Sequence, residues 1–299
     1  MENFNINDTA LGKQASTPEK YDPSLLFRIP RSENREKYSI ADTNLPFIGY
    51  DVWNCYEMSF LTKNGLPVSR ILKLIYPADS KYLVESKSLK LYLNSFNMEC
   101  FENSIFESER KVRTIIEKDL VQLLETNVQI TLFDKNSEEK KPFGHLHFPE
   151  LLSLIPKAEL DNISFTHFCE SPELLKSEKT DKTHAYFFTT DILRSNCRVT
   201  GQPDWGDLYV TIKTHHKIDL SSLLTYLISF RKENHFHEEV VEMIYKRFYD
   251  MFEPEKLMVA AMYTRRGGID INPIRTSDED WLDEAFISTQ YRLAKTWRQ

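Results

Sequence analysis

One order of elements runs twice through this chain, and the repetition restricts its possible folds more than any other feature. Tyr50–Leu61 (YDVWNCYEMSFL) and Val68–Tyr76 (VSRILKLIY) carry the aromatic and β-branched enrichment of strands. Ser86–Phe96 and Ile105–Leu124 have helical spacing, the second with Val112, Ile115, Ile116, Leu120 and Leu123 on one stripe. Val128–Phe133 (VQITLF) returns to a strand pattern. The second half gives strands at Ala185–Leu193 and Leu208–Lys213, helices at Leu220–Phe230 and Glu238–Phe252, and a closing strand at Leu257–Tyr263. The first strands start about 135 residues apart (Tyr50 and Ala185), and the second helices keep nearly the same interval. Matched spacing predicts two ββααβ modules. Tight connections between consecutive strands favour antiparallel pairing, hence an α+β class. The alternative is one large α+β domain with coincidental spacing.

The remaining segments divide around the modules. Residues 1–45 are polar, with Pro18, Pro23 and Pro30, and read as an extended, partly ordered arm. The first module covers 46–140, an intermodule segment 141–183, and the second module 184–299. The charged stretch Lys135–Pro142 marks the start of the linker.

Composition excludes several functions. The chain has only 8 glycines among 299 residues, well under the usual ~7%. Their placement forms neither G-x-G-x-x-G nor G-x-x-x-x-G-K-[ST], so a bound nucleotide must be held without either phosphate loop. A net charge of −7 argues against direct nucleic-acid or anionic-membrane binding. No apolar run reaches the ~18 residues of a membrane span, and the N-terminus has no secretory-signal pattern. Cys55, Cys100, Cys169 and Cys197 are scattered, as in reduced cytoplasmic proteins.

Several motifs carry chemistry. Cys197 lies in S-N-C-R-V-T-G-Q-P-D-W-G, between two predicted strands, with Asp204 seven residues on in the same loop. Arg198 beside it would favour the thiolate, and Asp204 would serve as acid or base; equally, a lone cysteine is often an inert small hydrophobe. Val84-Glu85-Ser86-Lys87 opens a helix, either as an anion-binding corner or with Ser86 as an ordinary cap. Phe236-His237-Glu238-Glu239 begins like a zinc-protease helix, but Val241 stands where the second histidine would be. His145-x-His147 and His215-His216 are too isolated to define a metal site, so no catalytic metal is expected. Arg265-Arg266-Gly267-Gly268 suits a phosphate approached by backbone, or a solvated basic turn.

Taken together, L-P-F-I-G-Y-D-V-W-N-C-Y-E from Leu45, L-V-E-S-K-S-L-K-L-Y from Leu83, the Ser195–Gly206 loop, F-H-E-E-V-V-E from Phe236 and Y-T-R-R-G-G-I-D-I-N-P from Tyr263 resemble the NADPH-dependent 7-cyano-7-deazaguanine reductases of queuosine biosynthesis. The resemblance runs from about residue 45 to 275. It implies two tandem tunnelling-fold modules, antiparallel sheets with paired helices, in a cytoplasmic homodimer. It implies Cys197 as nucleophile and Asp204 as proton donor with a raised pKa. Val84, Glu85, Ser86, His237 and Glu238 would contact the nitrile; Ser86, Lys87, Arg266 and Gly267 would contact NADPH. The first module's matching loop, Leu61–Pro67, has neither Cys nor Asp, so the site would form between modules. Rival readings are a cyclohydrolase-like pterin enzyme and a non-catalytic purine-binding module on the same fold.

Overall fold

In the computed structural model the described residues are 18, 20–144 and 147–299, so the first part of the expected arm and His145 lie outside them. A short strand, β1 (Arg28–Pro30), precedes the long hairpin β2 (Ile48–Leu61) and β3 (Pro67–Pro77). Then come β4 (Tyr82–Val84), helices α1 (Ser86–Asn94) and α2 (Ile105–Leu124), and β5 (Gln129–Phe133). Helix α2 starts where the Ser104 side chain accepts from Glu107 N and stops at Glu125, in the left-handed region. Its Val112, Ile116, Leu120 and Leu124 are buried against the sheet with Leu72, Leu74 and Ile130.

The second half repeats the order on a larger scale. A hairpin of β6 (Ser177–Cys197) and β7 (Pro203–Ile218) leads into α3 (Leu220–Ser229), a two-residue strand β8 (Asn234–His235), α4 (His237–Phe252) and β9 (Lys256–Tyr263). Val240, Val241, Ile244, Tyr245 and Phe248 of α4 form the centre of the second core with Leu223, Leu227 and Val259. Both ββααβ units are present as the spacing predicted, in an α+β architecture of largely antiparallel strands.

A final strand, β10 (Ile269–Thr276), joins the halves. It pairs antiparallel with β9 on one side and with β2 on the other, from Ile269↔Cys55 to Thr276↔Ile48. The result is one eight-stranded sheet in the order β5-β3-β2-β10-β9-β7-β6-β8. Sequence patterning passes over this strand because I-D-I-N-P-I-R-T contains a proline and buried polar residues that mimic a loop. Gly49 makes the seam possible: a Cβ there would overlap the Ile274 carbonyl oxygen.

Two expectations need correction. From residue 20 the N-terminal segment is packed, with β1 antiparallel to β4 and with Arg31, Asn34 and Arg35 buried. The fold pairs these arginines with buried carboxylates, which draws the segment against the core. The Cys197–Asp204 loop is also shorter than expected, because β6 runs through Cys197 and β7 begins at Pro203. Only residues 198–202 connect the strands, and Asp204 is a strand residue.

Candidate active site

A cavity of about 410 Å³ opens between the halves, over the seam, within the usual range of small-molecule sites. Trp53 of β2 and Ile269 and Ile271 of β10 line it, with Val84, Ser86 and Lys87 on one wall and His237 and Glu238 on the other. Cys197, Gln202, Asp204, Arg266 and Gly267 complete the set. All the anticipated site residues except Glu85 therefore meet on one cavity, although they come from both halves.

The first wall is the start of α1. Glu85 precedes the helix in extended conformation, and its carboxylate accepts from Lys87 N (3.0 Å) and Ser88 N (2.7 Å). Glu85 is fully buried and is not on the cavity wall. The cap is Glu85, not Ser86, and its oxygens meet backbone donors rather than the cavity. That cap leaves Ser86 and Lys87 in the first turn, at the positive end of the helix dipole.

Cys197 ends β6, where its N–H donates to Gln202 O (2.8 Å) and its carbonyl accepts from Gly201 N (3.0 Å). The cation that shares the cavity with Cys197 and interacts with it electrostatically is Arg266. Arg198, expected to do this, instead pairs with Glu239 (2.9 Å) and Glu33 (3.2 Å). Arg198 is the first residue of the turn that follows β6, and its side chain leaves the cysteine for those two carboxylates.

Asp204 is clasped from two sides. Arg266 Nη1 donates to its Oδ1, and His237 Nε2 lies 3.4 Å from its Oδ2. The His237 ring is stacked on Tyr263, with centroids 3.9 Å apart and 9° between planes. Burial pushes the Asp204 carboxyl up, but His237 and Arg266 outweigh it and hold the group below the ordinary carboxylate range. The resting Asp204 is thus an ionised carboxylate, contrary to the raised pKa expected of a proton donor. Arg266 also donates to Gln202 Oε1 (2.6 Å), which braces its guanidinium beside Asp204 on the cavity wall.

Glu238 has the opposite setting. It is buried in the first turn of α4, and its Oε1 has no protein partner among the described residues. Burial, with the nearby Asp51 charge, pushes its carboxyl up to about 8. Two carboxyls in one cavity with separated pKa values are the arrangement from which acid and base roles are assigned.

The sequence reading missed Gln202, Trp53, Lys90, His235 and Phe236 as lining residues. Lys90 was legible, one helical turn after Lys87 on the same face of α1. Lys87, Lys90, Ser86 and Gly267 fit an anionic cofactor: they form a cationic rim beside a helix N-terminus. Gly267, at φ +58°, holds the left-handed backbone that brings this turn beside the Lys90 side chain. Among the described residues no group of three or more His, Cys, Asp or Glu side chains is placed to hold a metal. No helix among them is long and apolar enough to cross a membrane.

Comparison with known proteins gives this arrangement a lineage. Residues 17–132 match the family model for the nitrile reductase, 7-cyano-7-deazaguanine reductase N-terminal region, and residues 203–281 match the model for QueF-like proteins. The NADPH-dependent 7-cyano-7-deazaguanine reductase of Acinetobacter baylyi is 40% identical over 93% of this chain and 97% of its own length. The enzyme of the same name from a Polaromonas species is 40% identical over 89% of this chain and 92% of its own. Covered nearly end to end at that identity, the chain belongs to the NADPH-dependent 7-cyano-7-deazaguanine reductase family.

Proposed function

We propose that the protein reduces the nitrile 7-cyano-7-deazaguanine to 7-aminomethyl-7-deazaguanine for tRNA queuosine biosynthesis, through a covalent thioimide on Cys197. The observation that carries this reading is that Cys197, the ionised Asp204 and the unpartnered Glu238 share one cavity.

The deazaguanine edge presents ring N–H and amino donors, and the Glu238 carboxyl is the acceptor left open for them. Those donors favour its ionised form, so binding and ionisation reinforce each other. His237 positions the ring, while Val84 and Ser86 close the first wall; Glu85 acts by capping α1. With the nitrile carbon against Cys197, the thiol proton passes to Asp204. Sγ bonds to carbon, and one C–N π pair moves to nitrogen. Asp204 returns the proton to that nitrogen, which leaves a neutral thioimide. An ionised Asp204 is suited to this cycle because it is base first and acid second.

NADPH, when bound by Lys87, Lys90, Ser86 and Gly267, supplies one hydride at each of two visits. After the first, the C–S bond breaks, sulfur leaves with the bonding pair and an imine remains. Two hydrides and two protons in all convert the nitrile to the amine. The walls of Ile269, Ile271 and Trp53 keep water from the imine between visits. The two halves divide this work: the first gives the α1 corner, and the second gives Cys197, Asp204 and the start of α4. We read the working unit as a cytoplasmic homodimer, which light scattering at enzyme concentrations tests.

Intact mass after incubation with the nitrile and no NADPH tests the covalent step. An adduct of substrate mass, absent in Cys197→Ala, is the expected result. An active wild-type protein that forms no adduct would remove the thioimide.

A further inference from the structure

Beneath Glu238 lies a buried group of charges that the reaction above does not use. Arg31 Nη2 donates to Asp51 Oδ2, and Arg31 Nη1 is 3.5 Å from Glu242 Oε1. Arg35 grips Glu242 with two bonds, Nε–Oε2 at 2.9 Å and Nη2–Oε1 at 2.8 Å. Arg275 Nη2 reaches both Asp51 Oδ1 (2.9 Å) and Glu242 Oε1 (2.9 Å). Every one of these side chains is at most 3% exposed. Asp51 belongs to β2, Arg275 to β10, Glu242 to α4, and the other two arginines to the N-terminal segment. Glu242 sits one turn beyond Glu238, on the same face of α4.

The N-terminal segment also braces the other wall. Phe27 O accepts from Glu85 N (2.9 Å), Phe27 N donates to Ser88 Oγ (3.0 Å), and β1 runs beside β4. Ile29 itself lines the cavity. Residues 27–31 therefore touch the supports of both walls.

We propose that Arg31 is a positioning residue for nitrile recognition, which fixes Glu238 by holding Asp51 and Glu242 in place beneath it. The reason for arginine is geometric. Its Nε and Nη2 both donate to Ser80 Oγ (3.2 and 3.1 Å) while the same head meets Asp51 and Glu242. Lysine has the charge but not the planar fork. The charge count makes the position sensitive. Arg31, Arg35 and Arg275 balance Asp51, Glu242 and Asp42, the last half-exposed at the edge. Loss of Arg31 leaves an excess of negative charge under Glu238 and disfavours its carboxylate. Also near Glu238 are Tyr76 of β3 and Tyr263 of β9, with His237 and Asp204 at the cavity side.

The inference rests on the nitrile-reductase reading, and steady-state kinetics of the full chain separate the two. A wild-type protein that does not reduce the nitrile removes both. With an active wild type, Arg31→Gln is expected to raise KM for the nitrile about tenfold. Its KM for NADPH and its kcat should stay within about twofold, a loss of uniform binding. The acid limb of kcat/KM for the nitrile should move to higher pH, and Arg31→Gln with Asp51→Asn should move it back. Arg31→Lys should fall between Arg31→Gln and the wild type. Should Arg31→Gln not fold, Arg31→Lys and the double variant decide, since both keep the local charge balance. A folded Arg31→Gln with wild-type nitrile KM and pH limb overturns the proposal, as does a folded Arg31→Lys with both unchanged or a double variant whose limb stays displaced. So does an equal loss for NADPH, because a merely structural role would not select one substrate.

Discussion

The loop between β2 and β3 and the loop between β6 and β7 occupy the same place in two units of the same order, yet only the second lines the cavity. The first is a tight turn in which Gly65 N donates to Thr62 O (2.8 Å) and Thr62 N to Leu66 O (3.0 Å), with Gly65 and Leu66 in solvent. The second brings Cys197, Gln202 and Asp204 to the cavity and Arg266 into their midst. The first helices compare the other way. Glu85 and Asp219 cap α1 and α3 alike, each accepting from the second and third N–H groups. Only the α1 end faces the cavity; Asp219 lies by the start of β6, where its N–H donates to Lys176 O. Repetition supplied two scaffolds, and the site uses opposite corners of each.

The largest test of that asymmetry is removal of the nucleophile. Cys197→Ala should lower nitrile turnover at least ~10³-fold, as the loss of an activated nucleophile does, whereas Cys55→Ala, on the first unit's hairpin, should leave the adduct intact in the mass spectrum. Asp204→Asn comes next, with a loss of roughly 10²-fold in single-turnover reduction; unchanged turnover would move proton transfer elsewhere. The two caps sharpen the contrast further. Glu85→Ala and Asp219→Ala should each cost about 1 kcal/mol in chemical denaturation, the usual cost of losing a cap, but only Glu85→Ala should also depress kcat/KM. The smallest effect is on stability against pH. Glu238 carries its carboxyl from an ordinary 4.5 to about 8 on folding, so the folded chain binds the extra proton in that window and loses stability as pH rises through it. In Glu238→Gln that dependence disappears, and its melting temperature should gain on the wild type between pH 5 and pH 9.

Much of this was readable from the chain. The helices were legible because apolar residues such as Val112, Ile116 and Leu120 recur at helical spacing and end at caps. The convergence of Cys197, Asp204, Ser86, Lys87, His237 and Glu238 followed from motif resemblance, and the cavity brings them together. Strand β10 was not legible, because its burial comes from neighbours over 200 residues away at β2. Arg31 and Arg35 were hidden for a related reason: a buried arginine looks like a solvated one until its carboxylate partners are placed. Arg198 was not legible because proximity in sequence does not decide which group a turn side chain reaches; it leaves Cys197 for Glu239 and Glu33.

The β2–β10 seam also has a consequence for how the protein is made. Until residue 276 leaves the ribosome, β2 is an unpaired edge strand, wide open along the ladder from Ile48 to Cys55 that β10 will fill. Such edges invite pairing with other chains. For most of its synthesis the first unit therefore waits with an adhesive flank, and the last strand closes the flank and floors the cavity in the same act.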